Sequence, residues 1–213
     1  MNILEVEADF EPATRYGFEF RVNKYVYPYF QSKGLNVTQL LANKARTKDF
    51  KSACNQADID FITGFGHGDA DTFTGQDYEV LWEANSFNSR EVAGRIVHLL
   101  SCDTAKRLGM DIVSKGGRTY FGYYKMFVFS NSDPPPKDPK NDTIADPFFK
   151  CDSQIDRLLA DGLFAQDVYI LTLQSFDAEY GKMLAIDSEA AGWLLWDKYS
   201  LCLYGDPAAS LQV

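Results

Sequence analysis

The 213-residue sequence has two histidines, four cysteines and no run approaching the roughly 18 to 20 apolar residues that a membrane-spanning helix requires. Cys54, Cys102, Cys151 and Cys202 lie far apart and lack the C-x-x-C spacing of zinc or redox motifs. Each therefore reads as a reduced thiol, and neither a metal nor another cofactor is expected. Basic residues are in deficit as well: 21 Lys plus Arg against 30 Asp plus Glu leave a net charge of -9. A surface of that sign repels phosphate backbones, which excludes nucleic acid as a partner. Met1 to Phe10 carries acids in place of a basic region and an apolar run, so no membrane attachment is expected and a cytoplasmic location is.

What is present is ordinary globular composition, 46% hydrophobic and 24% charged. At this length roughly 70% of the unfolded surface is buried on folding, so one domain over residues 1–213 needs no cross-links.

Period and punctuation divide the chain into alternating elements. Ile3 to Ala8 reads as a strand, Thr14 to Ser32 as a helix stopped by Gly34, and Asn36 to Ala42 as a second strand. Thr47 to Ala57 reads as a helix and Ile59 to Phe65 as a strand ending in Gly64-Phe65-Gly66-His67-Gly68. Asp69 to Trp82 reads as a turn or small hairpin, and Asn88 or Ser89 as a helix cap. Arg95 to Ser101 is nearly all apolar, as in a central strand covered on both faces, and runs into Cys102-Asp103-Thr104-Ala105 and a helix to Ser114. Arg118 to Ser130 is aromatic and β-prone and predicts a strand or a pair of strands. Asn131 to Pro147, centred on Pro134-Pro135-Pro136 and carrying Lys137 and Lys140, predicts an exposed loop. Gln154 to Leu163, Phe164 to Phe176 and Ser188 to Lys198 read as helices before a last apolar segment, Tyr199 to Tyr204. This alternation predicts a three-layer α/β/α sandwich with a mostly parallel central sheet.

Two predicted buried strands end in residues able to do nucleophilic chemistry, His67 and Cys102. Parallel strands present their carboxyl ends on one side, which is where open parallel sheets place their sites. The two residues are one crossover unit apart in sequence, so their strands can be neighbours. His98 is the competing base, but four residues of strand span about 13 Å, beyond a hydrogen bond from Cys102; His98 reads as a core histidine satisfied by a neighbour. Gly64, Gly66 and Gly68 remove side chains where a ligand would come close. Phe65 and Leu100, two residues before His67 and Cys102, share the strand face that points toward the pocket and are expected to form its walls.

These residues resemble the caspase-like cysteine peptidases of clan CD, including gingipains, clostripain and the bacterial CHAT domains. There an apolar strand ends in His-Gly and a later one in a small residue followed by Cys. Here the counterparts are Phe61 to Gly68 and Ile96 to Cys102, echoed by Gly116-Gly117 and the terminal Gly205-Asp206-Pro207. The resemblance implies a caspase-like fold and a cysteine endopeptidase acting on a protein or peptide substrate. Cys102 would be the nucleophile and His67 the base, with the Gly68 and Cys102 amides as oxyanion hole. A helix opening after Cys102 would favour its thiolate. In gingipain-like members an acid after the first strand selects a basic residue; Asp9 stands at the corresponding place and implies cleavage after Lys or Arg. The segment around Cys102 departs from the Gln-Ala-Cys-x-Gly of animal caspases, so cleavage after aspartate is not implied. Two alternatives stay open. One is a caspase-like module that binds, or waits for, an activating partner protein; the other is an α/β domain using the Gly64 to Gly68 turn for a nucleotide or small ligand.

Overall fold

The computed structural model describes residues 1–56 and 58–211. Its centre is a six-stranded sheet made of β1 (Asn2–Glu7), β2 (Asn36–Leu41), β3 (Phe61–Phe65), β6 (Ile96–Leu100), β7 (Thr119–Tyr123) and β8 (Leu201–Gly205), in the order β2-β1-β3-β6-β7-β8. Every neighbouring pair is parallel except β7 and β8. β4 (Thr72–Thr74) and β5 (Val80–Glu83) form a separate antiparallel hairpin.

Helices cover both faces of the sheet, which is why its central strands tolerate continuous apolar sequence. On one face Ile3, Phe61, Phe65, Ile96 and Leu100 pack with residues of α1 (Pro12–Phe20), α2 (Tyr27–Ser32) and α5 (Asp146–Ala160). On the other, Leu4, Val6, Ile62, Val97 and Leu99 pack with α3 (Thr47–Cys54) and α4 (Leu108–Ser114). Outside α5 lie α6 (Ala165–Met183) and α7 (Ser188–Ser200), with Phe148, Cys151, Phe176 and Leu194 forming a smaller core. The result is an α/β/α sandwich with a mostly parallel sheet. Among the described residues no helix is long and apolar enough to cross a membrane.

Several boundaries differ from the sequence expectation for identifiable reasons. The helical stretch from Thr14 to Ser32 is interrupted by a π-type turn, Arg21–Tyr25, ahead of Pro28 in the first turn of α2, where a missing N–H is tolerated. α3 stops at Cys54, and Ala57, the expected helix end, lies outside the described residues. Asn88 caps a single 3-10 turn, Ser89–Glu91. The proline-rich loop ends before Pro147. Asp142 is buried and accepts from Tyr16 Oη, Ser132 and the Ile144 and Ala145 amides, and α5 starts at Asp146 with Pro147 in its first turn. The aromatic run is a strand only as far as Tyr123. Beyond it the backbone bonds to α7: Tyr124 N donates to Ser200 O at 2.7 Å and Val128 N to Asp197 Oδ1 at 3.0 Å.

One row of the sheet is polar although fully buried. Glu5, Thr63 and His98 are in register across β1, β3 and β6. Arg21 enters this row from the π-type turn, with Nε 2.9 Å from Glu7 and Nη1 2.8 Å from Asp152 and 3.2 Å from Asp156. His98 Nδ1 lies 3.1 Å from Asp156 Oδ1 and Nε2 3.2 Å from Asp152 Oδ1, so both ring nitrogens face carboxylates. Burial would depress the imidazole, but the Asp156 and Asp152 charges outweigh it and hold the pKa at about 9. Burial, reinforced by the charge of Glu7, raises Glu5 to about 8; burial raises Glu7 to about 7 against the pull of Arg21.

Candidate active site

Phe65 of β3 and Leu100 of β6 are direct partners across the parallel pair. The chain runs two residues beyond each strand, to His67 and to Cys102, so both lie at the same end of the sheet. They line one cavity of ≈ 70 Å³ together with Ala13, Phe65, Leu100, Phe127 and Phe129.

His67 is held from three directions. Its ring stacks on Tyr78 with centroids 5.0 Å apart and meets the edge of Phe10 at 6.0 Å. Nε2 lies 3.0 Å from Glu11 Oε1. Glu11 is the N-cap of α1 and accepts from Thr14 N at 3.1 Å through the same oxygen, so the start of the helix fixes the carboxylate that fixes the imidazole. Sequence reasoning missed Glu11. The available signal was an acid directly before Pro12 at a helix start, a position where a carboxylate is already oriented.

The glycines around His67 make room for neighbouring segments of the chain. A Cβ on Gly66 would stand 2.0 Å from Thr74 O, one on Gly64 3.0 Å from the Phe73 ring, and one on Gly68 2.3 Å from Ser101 Oγ. They admit the β4–β5 hairpin and Ser101, and Gly66 also lines the cavity. Since a hairpin rather than a helix follows β3, the turn also lacks the helix N-terminus on which a dinucleotide pyrophosphate would rest.

Cys102 is half-buried, and its thiol donates to Phe127 O at 3.9 Å. Burial, with the carboxyls of Asp103 and Asp197, pushes the thiol pKa up. The expected helix opening at Cys102 is absent. Residues 102–107 form turns, Asp103 adopts φ of +60°, and α4 begins only at Leu108. No helix dipole therefore acts on the sulfur. The turn is instead fastened to the chain leaving β7, with Asp103 N donating to Lys125 O at 3.2 Å and Ala105 N to Tyr123 O at 3.1 Å. Among the described residues neither the Gly68 nor the Cys102 amide donates to a protein acceptor, which leaves both free to face a ligand oxygen.

Residues 124–130 roof the cavity and are tied to α7. Trp196 Nε1 donates to Met126 O at 2.8 Å, and Lys125 Nζ sits 4.1 Å above the Trp196 ring. Asp9 does not line the cavity. Its backbone exchanges two hydrogen bonds of 2.9 Å with the Gln76 side chain, and its carboxylate faces Arg15 at 3.5 Å. The structure brings His67, Cys102, Phe65 and Leu100 to one cavity, whose lining includes neither Gly68 nor Asp9.

An α/β/α sandwich of this strand order, with a histidine and a cysteine at adjacent strand ends, has the caspase-like fold. Among solved structures it is similar to the Arg-specific cysteine proteinase gingipain R (RgpB), with a TM-score of 0.61 at 10% identity over 99% of this chain and 47% of that one. It is also similar to the complex of the Porphyromonas gingivalis RgpB pro- and mature domains, with a TM-score of 0.60 at 9% identity over 100% of this chain and 48% of that one. A further structure, described as that of a protease, gives 0.52 at 14% identity over 98% of this chain and 48% of that one. The chain thus spans about half the length of the solved structures it matches, and at these identities the likeness is one of fold. Neither the protein-family models nor the curated proteins give a match.

Proposed function

We propose that residues 1–213 act as one peptidase domain, a cysteine endopeptidase in which Cys102 attacks the scissile carbonyl of a protein or peptide substrate. The observation that carries this reading is the shared cavity: His67 and Cys102 come from neighbouring parallel strands and line the same space. His67 takes the thiol proton through the ring nitrogen that Glu11 leaves free and later passes it to the departing amine. Glu11 is a positioning residue, keeping the ring in one orientation. The Gly68 and Cys102 amides hold the developing oxyanion. Arg specificity belongs to the gingipain neighbour; the Lys or Arg preference inferred through Asp9 has no support in the geometry, because Asp9 is paired elsewhere.

A second reading, in which the module stays closed until a partner protein arrives, is favoured by one observation. The Phe127 carbonyl accepts from the Cys102 thiol, and the roof that carries it is bonded to α7. The two readings share the same residues and differ in what opens the site.

Cleavage of a mixed fluorogenic peptide library tests the proposal. Turnover is expected in the unaltered chain and is expected to fall by about three orders of magnitude in Cys102→Ala and in His67→Ala. Turnover that survives Cys102→Ala disproves it.

A further inference from the structure

Beyond His67 the margin of the site is aromatic. Along the carboxyl end of the sheet the segments follow the strand order: the roof residue Phe127 after β7, Cys102 after β6, His67 after β3 and Phe10 after β1. Tyr78 reaches the same place from the β4–β5 turn, where the Gln76 side chain ties the turn to the Asp9 backbone through two hydrogen bonds of 2.9 Å. Phe10 and Tyr78 meet edge to face with centroids 4.8 Å apart, and Tyr78 also stacks on the imidazole at 5.0 Å and 21°. Phe10 is half-buried and Tyr78 is 59% exposed, so the two rings form a ledge beside His67 with ring surface left uncovered. Neither ring lines the cavity that His67 shares with Cys102.

The backbone carries Tyr78 in a conformation that its side chain disfavours. Asp77 has φ of +53° and Tyr78 φ of +61°, the left-handed region that an aromatic residue rarely adopts. Neighbouring segments hold the turn there. Gly75 N donates to Glu79 O at 2.8 Å, Gln76 N to Ala45 O at 2.9 Å and Thr47 N to Glu79 Oε1 at 2.8 Å, while Arg46 pairs with Asp77 and, at 3.2 Å, with Glu79. Glycine would adopt this backbone at no steric cost, so what tyrosine adds at the position is its ring. Since most of that ring is open to solvent, its burial does little to offset the strain.

A peptide with its carbonyl carbon at the Cys102 sulfur and its departing nitrogen toward His67 sends its next residue to the β1 side, onto this ledge. Asp9, Glu11, Asp77 and Glu79, the acids of the two segments, already face Arg15, His67 and, for the last two, Arg46. What the ledge offers a ligand is mainly ring carbon, which an apolar side chain covers with release of water and an aromatic one also meets edge to face. Resting on the reading of Cys102 and His67 as a peptidase dyad, we infer that Tyr78 and Phe10 form the subsite for the residue that follows the cleaved bond, and that this subsite takes an apolar side chain of the phenylalanine or leucine kind.

The test takes one peptide that the unaltered chain cleaves and varies only the residue after the cleaved bond, as Phe, Leu, Gly, Asp or Arg. kcat/KM is expected to be at least about tenfold higher for the Phe and Leu peptides than for the other three. Tyr78→Phe is expected to keep that ratio. Tyr78→Gly, which suits the left-handed backbone, is expected to fold and to bring the Phe and Gly peptides to within about twofold of each other. Tyr78 also steadies the His67 ring, so turnover of every peptide falls in this variant; the ratio between peptides, which a purely structural role does not move, is the deciding readout. Equal cleavage of the Phe and Gly peptides by the unaltered chain, a ratio retained in Tyr78→Gly, or Arg or Asp peptides cleaved as fast as Phe overturns the inference and leaves the dyad standing. Failure of the unaltered chain to cleave any member of a mixed peptide library overturns the dyad, and the subsite with it.

Discussion

Glu11 Oε1 stands 3.0 Å from His67 Nε2, so the start of α1 is wired to the end of β3 through one carboxylate. A base held this way is oriented before substrate arrives. Glu11→Gln keeps the shape but replaces the carboxylate with a neutral amide that holds the ring less firmly. We expect peptide turnover to fall by about 10- to 100-fold, within the range of a general acid–base contribution, with KM little changed.

The Cys102 thiol has no helix N-terminus behind it, and burial together with Asp103 and Asp197 raises its pKa. At rest its thiolate fraction at pH 7 should therefore lie below the few per cent of a free thiol. Iodoacetamide alkylation of Cys102, followed by peptide mass mapping, should climb through pH 9 without a plateau near neutrality. A neutral plateau would mean a resting thiolate–imidazolium pair.

The bond from Trp196 Nε1 to Met126 O ties the roof to α7. Trp196→Phe removes that donor and retains most of the ring. Alkylation of Cys102 in this variant is expected to run several-fold faster than in the unaltered chain, while the buried Cys54 and Cys151 remain slow. An unchanged Cys102 rate would mean that the roof does not limit access.

Arg21 is fully buried among Glu7, Asp152 and Asp156. Arg21→Met leaves three carboxyls without their shared cation, a loss of about 3–5 kcal/mol by comparison with other broken buried pairs. Urea unfolding checks this through the midpoint at constant slope.

The same row sets a pH dependence. Glu5 and Glu7 have folded pKa values raised to about 8 and about 7, and His98 is raised to about 9. Groups raised on folding contribute fully below their unfolded pKa values and lose that contribution as pH climbs through the folded ones. Thermal stability is therefore expected to decline from about pH 5 to pH 9. Asp156, held low by Arg21 and His98 despite its burial, acts in the opposite sense and only at strongly acidic pH. Glu5→Gln, which keeps a neutral partner for Gln39, should flatten the decline between pH 5 and pH 8.

The sheet was legible because its strands are short apolar runs bounded by turn residues, and the β-α alternation dictates parallel pairing. The positions of His67 and Cys102 followed from strand ends alone. What escaped the sequence depended on contacts between distant segments. The use of Gly66 is set by the Thr74 carbonyl, the irregular course after Tyr123 by acceptors on α7, and the delayed start of α4 by a turn fastened to the β7 exit. Glu11 gave no sign of its role, because only the fold sets its carboxylate against the His67 ring. Arg21 and His98 gave no local sign of a shared network, since their acids, Asp152 and Asp156, lie on α5.

The account rests on sulfur and imidazole acting on one carbonyl, and intact-mass analysis with a peptidyl acyloxymethyl ketone tests that most directly. A single adduct mapping to Cys102, formed by the unaltered chain and at least about a hundredfold slower in His67→Ala, is the result the geometry predicts. Equal adduct formation in both proteins, or an adduct spread over Cys102 and Cys202 alike, would contradict it.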